Sequence, residues 1–199
     1  MLEPITNNED PYLEKTDEDL IVLTFKNKES YRYLMQRYEE KLKRYIIRLS
    51  GAQKEDAEDI LQNVFLKAYR NLKDFDKSLK FSSWIYRIAH NETVTFLRKK
   101  NVRPKTIDPE TASIIISLIG SDLGIEEAID KKNLSEKIKE IINTLDEDYR
   151  NVILLKYMEE KDYREISDIL KKPMGTIATL LKRGKEKLKK EILKQTHIF

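Results

Sequence analysis

Apolar residues recur three and four positions apart along most of this chain, the period of helices buried on one side. Tyr31, Leu34, Met35, Tyr38, Leu42, Tyr45, Ile46 and Leu49 form one stripe that stops at Gly51, predicting a helix over residues 29–50. Ala57, Ile60, Leu61, Val64, Phe65, Ala68 and Leu72 form a second, over residues 54–72. A third carries Ile85, Ala89, Thr93, Phe96 and Leu97, with Trp84 and Ile88 beside it. It predicts a helix from Ser83 onward, capped by Ser82 or Ser83. Ahead of these, Thr16 followed by Asp17, Glu18 and Asp19 marks the start of a short helix to about Asn27, a capping hydroxyl and acids suiting the free amides there.

The texture changes over residues 101–133, where Pro104, Pro109, Gly120 and Gly124 interrupt any period. That length without a pattern reads as a linker, able to span on the order of 100 Å when extended. Its apolar run, residues 114–119, either packs on a domain or lies in a partner's channel. Periodicity resumes near Leu134 with Ile138, Ile141, Ile142 and Leu145, then Tyr149, Val152, Ile153, Leu155 and Tyr157, with Asp146 as a cap. A short amphipathic helix over residues 163–170, a turn at residues 171–174 containing Pro173, and a helix from Gly175 follow. Ser167 is small enough to admit the second helix. Ile177, Leu181, Gly184 and Leu188 line its packed side, while Ala178, Lys182, Lys185 and Lys189, flanked by Thr179 and Arg183, line the other. Two helices joined this way match a DNA-binding helix-turn-helix, set against a plain helical hairpin with a solvated lysine face.

The expected fold is all-α, two small helical domains joined by a flexible linker. Residues 1–15 are read as a disordered tail, 16–100 as the first domain, 101–133 as the linker and 134–199 as the second.

Composition narrows the function. With 37% charged residues and five glycines among 199, long solvated helices fit better than a barrel. The absence of cysteine excludes disulfides and thiolate metal sites. The acidic N-terminal stretch is no signal peptide and no apolar run approaches a membrane span, so a soluble, cytoplasmic protein without membrane insertion is expected. Charge is polarised: residues 1–30 hold eight acids and three bases, residues 163–199 ten bases and four acids. One basic and one acidic partner would suit that distribution.

Residues 75–100 concentrate candidate binding chemistry. Five aromatics (Phe75, Phe81, Trp84, Tyr86, Phe96) and six cations (Lys77, Lys80, Arg87, Arg98, Lys99, Lys100) stand against Asp76 and Glu92. Cations hold a phosphate chain and flat rings stack on bases, although an ordinary surface helix after an aromatic turn would read the same. On residues 54–72 the outward face, with Glu55, Asp59, Gln62, Asn63 and Leu66, is either helix-dipole chemistry or a docking face for a basic partner. Catalysis is poorly provided for: His90 and His197 are the chain's two histidines and no glycine-rich phosphate loop occurs. Neither an enzyme nor a cofactor or metal is expected.

Taken in order, DAEDILQNVFLKAY (residues 56–69), FDKSLKFSSWIYRIAHN (75–91), a linker, and LDEDYRNVILLKYMEEKDYREISDILKKPMGTI (145–177) resemble bacterial sigma factors of the sigma-70 family, extracytoplasmic-function subfamily. The resemblance implies a region 2 helical bundle and a region 4 helix-turn-helix that bring core RNA polymerase, through its β′ and β subunits, to promoter DNA. On that likeness Asp56, Asp59, Gln62, Asn63 and Leu66 would dock a basic coiled coil of β′. Lys77, Lys80, Phe81, Trp84, Arg87, Asn91 and Arg98 would contact the −10 element, the loop over residues 75–81 holding a flipped base and Asn91 the duplex edge. Trp84 suits core packing as well as base stacking. Thr176, Thr179, Lys182, Arg183 and Lys185 would read the −35 element. Asn63 stands where a glutamate is common, and Ala178 and Leu180 where arginines are. An anti-sigma factor is a further candidate partner. The competing reading is a free-standing helix-turn-helix regulator, which would shift promoter duplex without polymerase.

Overall fold

The computed structural model describes residues 12, 14–100, 111, 114, 115, 142 and 145–196. Every regular element among the described residues is helical. Helix α1 (Asp17–Lys26) opens with a capping box: the Asp19 amide donates to Thr16 Oγ1 at 3.1 Å, and the Thr16 amide donates to Asp19 Oδ2 at 3.3 Å. One 3-10 turn (Lys28–Ser30) leads into α2 (Tyr31–Ser50). Gly51 ends it at φ 63°, left-handed backbone that a Cβ would strain. Then come α3 (Lys54–Arg70) and α4 (Phe81–Lys100).

The α4 helix starts two residues earlier than its spacing predicts. The Trp84 amide donates to the Lys80 carbonyl at 3.2 Å, so Ser82 and Ser83 lie inside the first turn rather than capping it. The start shifts because Phe81 has an apolar ring to bury. α2, α3 and α4 meet along the predicted stripes: Leu34, Leu42, Ile46, Ala57, Val64, Ile85, Ala89 and Thr93 are all buried. Tyr31 locks two of them together by donating to the Phe65 carbonyl at 2.8 Å.

In the C-terminal half, α5 (Glu147–Ile153) runs on as a widened π turn (Leu154–Met158). Asp146 occupies the cap position but makes no side-chain cap bond; its carboxylate pairs with Lys187 at 2.7 Å instead. α6 (Tyr163–Leu170) opens with a second capping box, Asp162 with Glu165, and ends at Lys171 in left-handed conformation. Ser167 closes the turn rather than simply making room, its hydroxyl donating to the Lys172 carbonyl at 2.6 Å. The Pro173 carbonyl accepts from the Thr176 and Ile177 amides, so α7 (Met174–Thr196) begins one residue before the expected Gly175. Gly184 sits at a close approach: a Cβ there would lie 3.2 Å from Ile153 Cδ1 and 3.4 Å from Tyr149 Cβ.

The predicted tail and linker fall almost wholly outside the described residues, as does most of the predicted helix over residues 134–145. Within them Ile115, Ile142 and Leu145 are buried, so the apolar linker run contributes at least Ile115 to the core. No helix among the described residues is long and apolar enough to cross a membrane. The two halves touch: α4 packs against α6 as well as against α2 and α3.

Candidate polymerase and nucleic-acid interfaces

The docking residues predicted on α3 separate into two groups. Gln62 and Leu66 line a groove of about 630 Å³ between α2 and α3. Its floor is apolar, from Tyr31, Met35, Leu61, Phe65 and Tyr69, and its rim carries Glu39, Glu40 and Glu58 beside Lys28, Arg32 and Lys43. Leu66 is 54% exposed, a large apolar side chain unspent by folding. Lys43 donates to Glu58 at 2.6 Å, which lowers the Glu58 carboxyl and raises the lysine. Asp56, Asp59 and Asn63 stand outside the groove. Asp56 takes both its bonds from Lys100 of α4, at 2.7 and 2.9 Å, and Asn63 donates back to the Asp59 carbonyl at 2.9 Å. The contribution of α2 was missed by sequence reasoning, which followed only the apolar stripe of that helix.

The α4 region is built differently from the open platform its composition suggests. Phe81 is 1% and Trp84 6% exposed. Their centroids lie 5.6 Å apart, Phe75 meets Trp84 at 5.3 Å and Phe81 edge-on at 5.7 Å, and Tyr38 meets Phe81 at 5.5 Å. The rings pack against one another, edge-on and tilted, which accounts for them without a base. The loop before them is held by Asp76, whose Oδ1 accepts from the Ser78 amide at 2.9 Å, a bond that lowers the carboxyl. Lys77, Lys80, Asn91 and Arg98 are exposed and Arg87 half-buried, giving a polar face along one side of α4. On the helix's other side His90 Nδ1 lies 3.0 Å from the Tyr45 hydroxyl, and burial brings its pKa down to about 4.

On α7 the division is clean. Ile177, Leu181, Leu188 and Ile192 are buried, while Thr176, Thr179, Lys182 and Arg183 are exposed and Lys185 is half-buried. Thr179 donates to the Gly175 carbonyl at 2.8 Å within its own helix. A helix whose N-terminal half shows hydroxyls and cations, braced from behind by α5 and α6, has the form of a major-groove reader.

Comparison with known proteins places this arrangement. The Sigma-70 region 2 family matches residues 34–103, covering most of α2, all of α3 and α4. The Sigma-70 region 4 family matches residues 135–188, which reach through α5 and α6 into α7. The ECF RNA polymerase sigma factor SigW of Bacillus subtilis is 36% identical over 159 residues, spanning 78% of this chain and 84% of that protein. The chain belongs to the extracytoplasmic-function sigma factors. The ECF RNA polymerase sigma-E factor of Escherichia coli is 30% identical over 186 residues, 89% of this chain and 94% of that one. Among solved structures, CnrH in complex with the cytosolic domain of CnrY superposes with a TM-score of 0.62 at 21% identity, over 86% of this chain and 94% of that one. The sigma factor RpoE of Bartonella quintana, in complex with the anti-sigma factor NepR, superposes at 0.56 and 19% identity, over 81% and 96%. These two share the fold. As a sigma factor the chain serves RNA polymerase in transcription initiation, and its family is not one of enzymes.

Proposed function

We propose that this sigma factor docks core polymerase through the α2–α3 groove, reads the −10 element with the polar face of α4, and reads the −35 element with α7. The observation that carries this reading is the pair of exposed apolar side chains along the groove, Leu66 and Tyr69, with acids on its rim. A folded monomer has no use for two large apolar side chains left open to water, while a basic, partly apolar helix pair of β′ would cover them. Asp59 and Asn63 then act as flanking polar contacts, and Asp56 positions α4 through Lys100. Lys77, Lys80, Arg87, Asn91 and Arg98 are the −10 contacts; Phe81 and Trp84 shape the loop from beneath. The domain division, with the bundle ending near residue 100 and the second unit starting near residue 134, belongs to the same proposal. So does a dedicated inhibitor, since proteins of this fold are found bound to anti-sigma factors.

Transcription reconstituted from core polymerase, this chain and a promoter library tests the reading. Transcripts starting a fixed distance below shared −10 and −35 sequences are expected. A chain that shifts promoter duplex alone and adds nothing to core polymerase would instead be the free-standing regulator.

A further inference from the structure

The exposed start of α7 is short of the groups that read guanine. Buried Ile177 and Leu181 fix which way the helix faces, and Gly175, Thr179 and Lys182 lie opposite them at helical spacing. Met174 and Ala178 form a second exposed row beside that one, with Met174 55% exposed. Thr179 has spent its hydroxyl proton on the Gly175 carbonyl at 2.8 Å, so it offers a partner an acceptor oxygen and a methyl group. A Cβ on Gly175 would meet nothing within 4 Å, so packing does not call for glycine there. Its bareness lets a base-pair edge come close to the methyls of Ala178 and Thr179. Leu180 packs back on the core, and Thr176 adds a single hydroxyl at the margin. Lys182 and Arg183 enter only two turns on, about 12 Å along the axis from Met174. The turn ahead of the helix is held firmly, with Ser167 on the Lys172 carbonyl at 2.6 Å and the Lys172 ammonium on Asp148 at 3.1 Å. Firm placement matters for apolar contacts, which lose much of their attraction across a gap of about 1 Å.

We propose that the tip of α7 reads thymine by its C5 methyl, through the apolar surface of Met174, Ala178 and Thr179. This rests on the reading that α7 enters the major groove at the −35 element. Guanine shows two acceptors in that groove and is recognised by paired donors, whereas thymine shows one acceptor and a methyl. Residues 174–180 hold no charged or amide side chain to supply the paired donors. A polarizable thioether and two methyls supply the apolar contact instead. The upstream element this factor prefers should then carry A·T pairs beneath the tip, with guanine confined to pairs within reach of Arg183.

Holoenzyme reconstituted from core polymerase and this chain first selects a −35 sequence from a randomised library. Duplex promoters of that sequence are then made with each thymine replaced in turn by deoxyuridine, which lacks the methyl alone. At one or more positions binding is expected to fall about fourfold, the worth of one buried methyl group. Met174→Ala should abolish that sensitivity at one position. Thr179→Ser, which keeps the hydroxyl and removes the methyl, should abolish it at a neighbouring one. Both side chains are exposed, so both variants should melt as the background protein does. Cytosine placed at a sensitive position should gain from 5-methylation with the background protein and not with the matching variant. Deoxyuridine equal to thymine at every position, or a selected element without thymine, overturns methyl recognition. A deoxyuridine effect of the same size in both variants belongs to DNA shape and overturns it too. In each of those cases a loss of promoter binding in Arg183→Ala leaves α7 as the −35 reader, so that methyl recognition falls alone. A library showing no −35 preference, with binding unmoved by all three variants, removes α7 from the promoter, and methyl recognition falls with it.

Discussion

Leu66→Ala tests the docking groove with a magnitude that follows from exposure. Burying a whole leucine side chain is worth about 1.5–3 kcal/mol. Folding has covered under half of Leu66, which is 54% exposed, so a partner seated in the groove gains about 1–1.5 kcal/mol from the rest. Truncation to alanine removes most of that, raising the dissociation constant for core polymerase roughly tenfold. The stability of the free protein should change by no more than about 0.5 kcal/mol, since the lost atoms face water. Asp56→Ala is the contrast. That carboxylate is tied to Lys100 and lies outside the groove, so its loss should change affinity by less than about twofold. Asp59→Lys falls between, placing a like charge beside a basic partner and weakening binding most at low salt. Titrating dye-labelled protein with core polymerase at two salt concentrations reads all three. Unchanged affinity in Leu66→Ala together with a tenfold loss in Asp56→Ala would refute the groove and move docking to the N-terminal end of α3.

His90 gives the fold a pH dependence. The unfolded chain takes up its proton near the usual value of about 6.5, the folded chain only near 4, so stability falls as pH drops through that window and levels off below it. The loss, up to about 3 kcal/mol, should appear in urea midpoints at pH 7 and 4.5 and be absent in His90→Gln; Glu159, raised by burial, titrates with the opposite sign and is common to both proteins. Arg183→Ala should cost about 1–3 kcal/mol at particular upstream sequences if it reads a base edge, whereas Lys189→Ala should weaken all sequences alike and lower the salt slope by roughly one. A randomised −35 library transcribed by both variants measures this, and a uniform loss in Arg183→Ala makes Arg183 a phosphate anchor. At Gly184, alanine should be nearly neutral in a thermal melt, because about 1 kcal/mol of helix propensity offsets a contact with the end of Ile153. Valine there should cost about 1–3 kcal/mol by overpacking, and equal melting of the two variants would contradict the close approach.

The helices were legible because a buried stripe must repeat at the helical period whatever it packs against. The two faces of α7 were legible for the same reason, since one line of residues is braced and the other left to solvent. Pairing between distant helices has no such signature. An aromatic-rich loop reads alike whether its rings stack on bases or pack on one another, and it is the meeting of α2 with α4 that puts Tyr38 against Phe81. The groove escaped for a related reason: half of it comes from α2, where Glu39 and Glu40 obey the ordinary rule for a polar face.

Glu159 shows why charge in particular misleads. It sits in Met-Glu-Glu-Lys-Asp, a run that composition assigns to solvent. Its burial is decided by Arg48, 111 residues away, and Tyr86, 73 residues away. A carboxylate is tolerated there only because both oxygens find donors already fixed by other packing. The π turn that delivers it is equally silent, because Leu154 to Met158 carries the same apolar spacing as an α-helix. The one local hint is Glu160, a non-glycine residue in left-handed backbone, and that is a property of coordinates rather than letters. Elements were therefore readable where each residue's environment is set by its own helix, and unreadable where it is set by another.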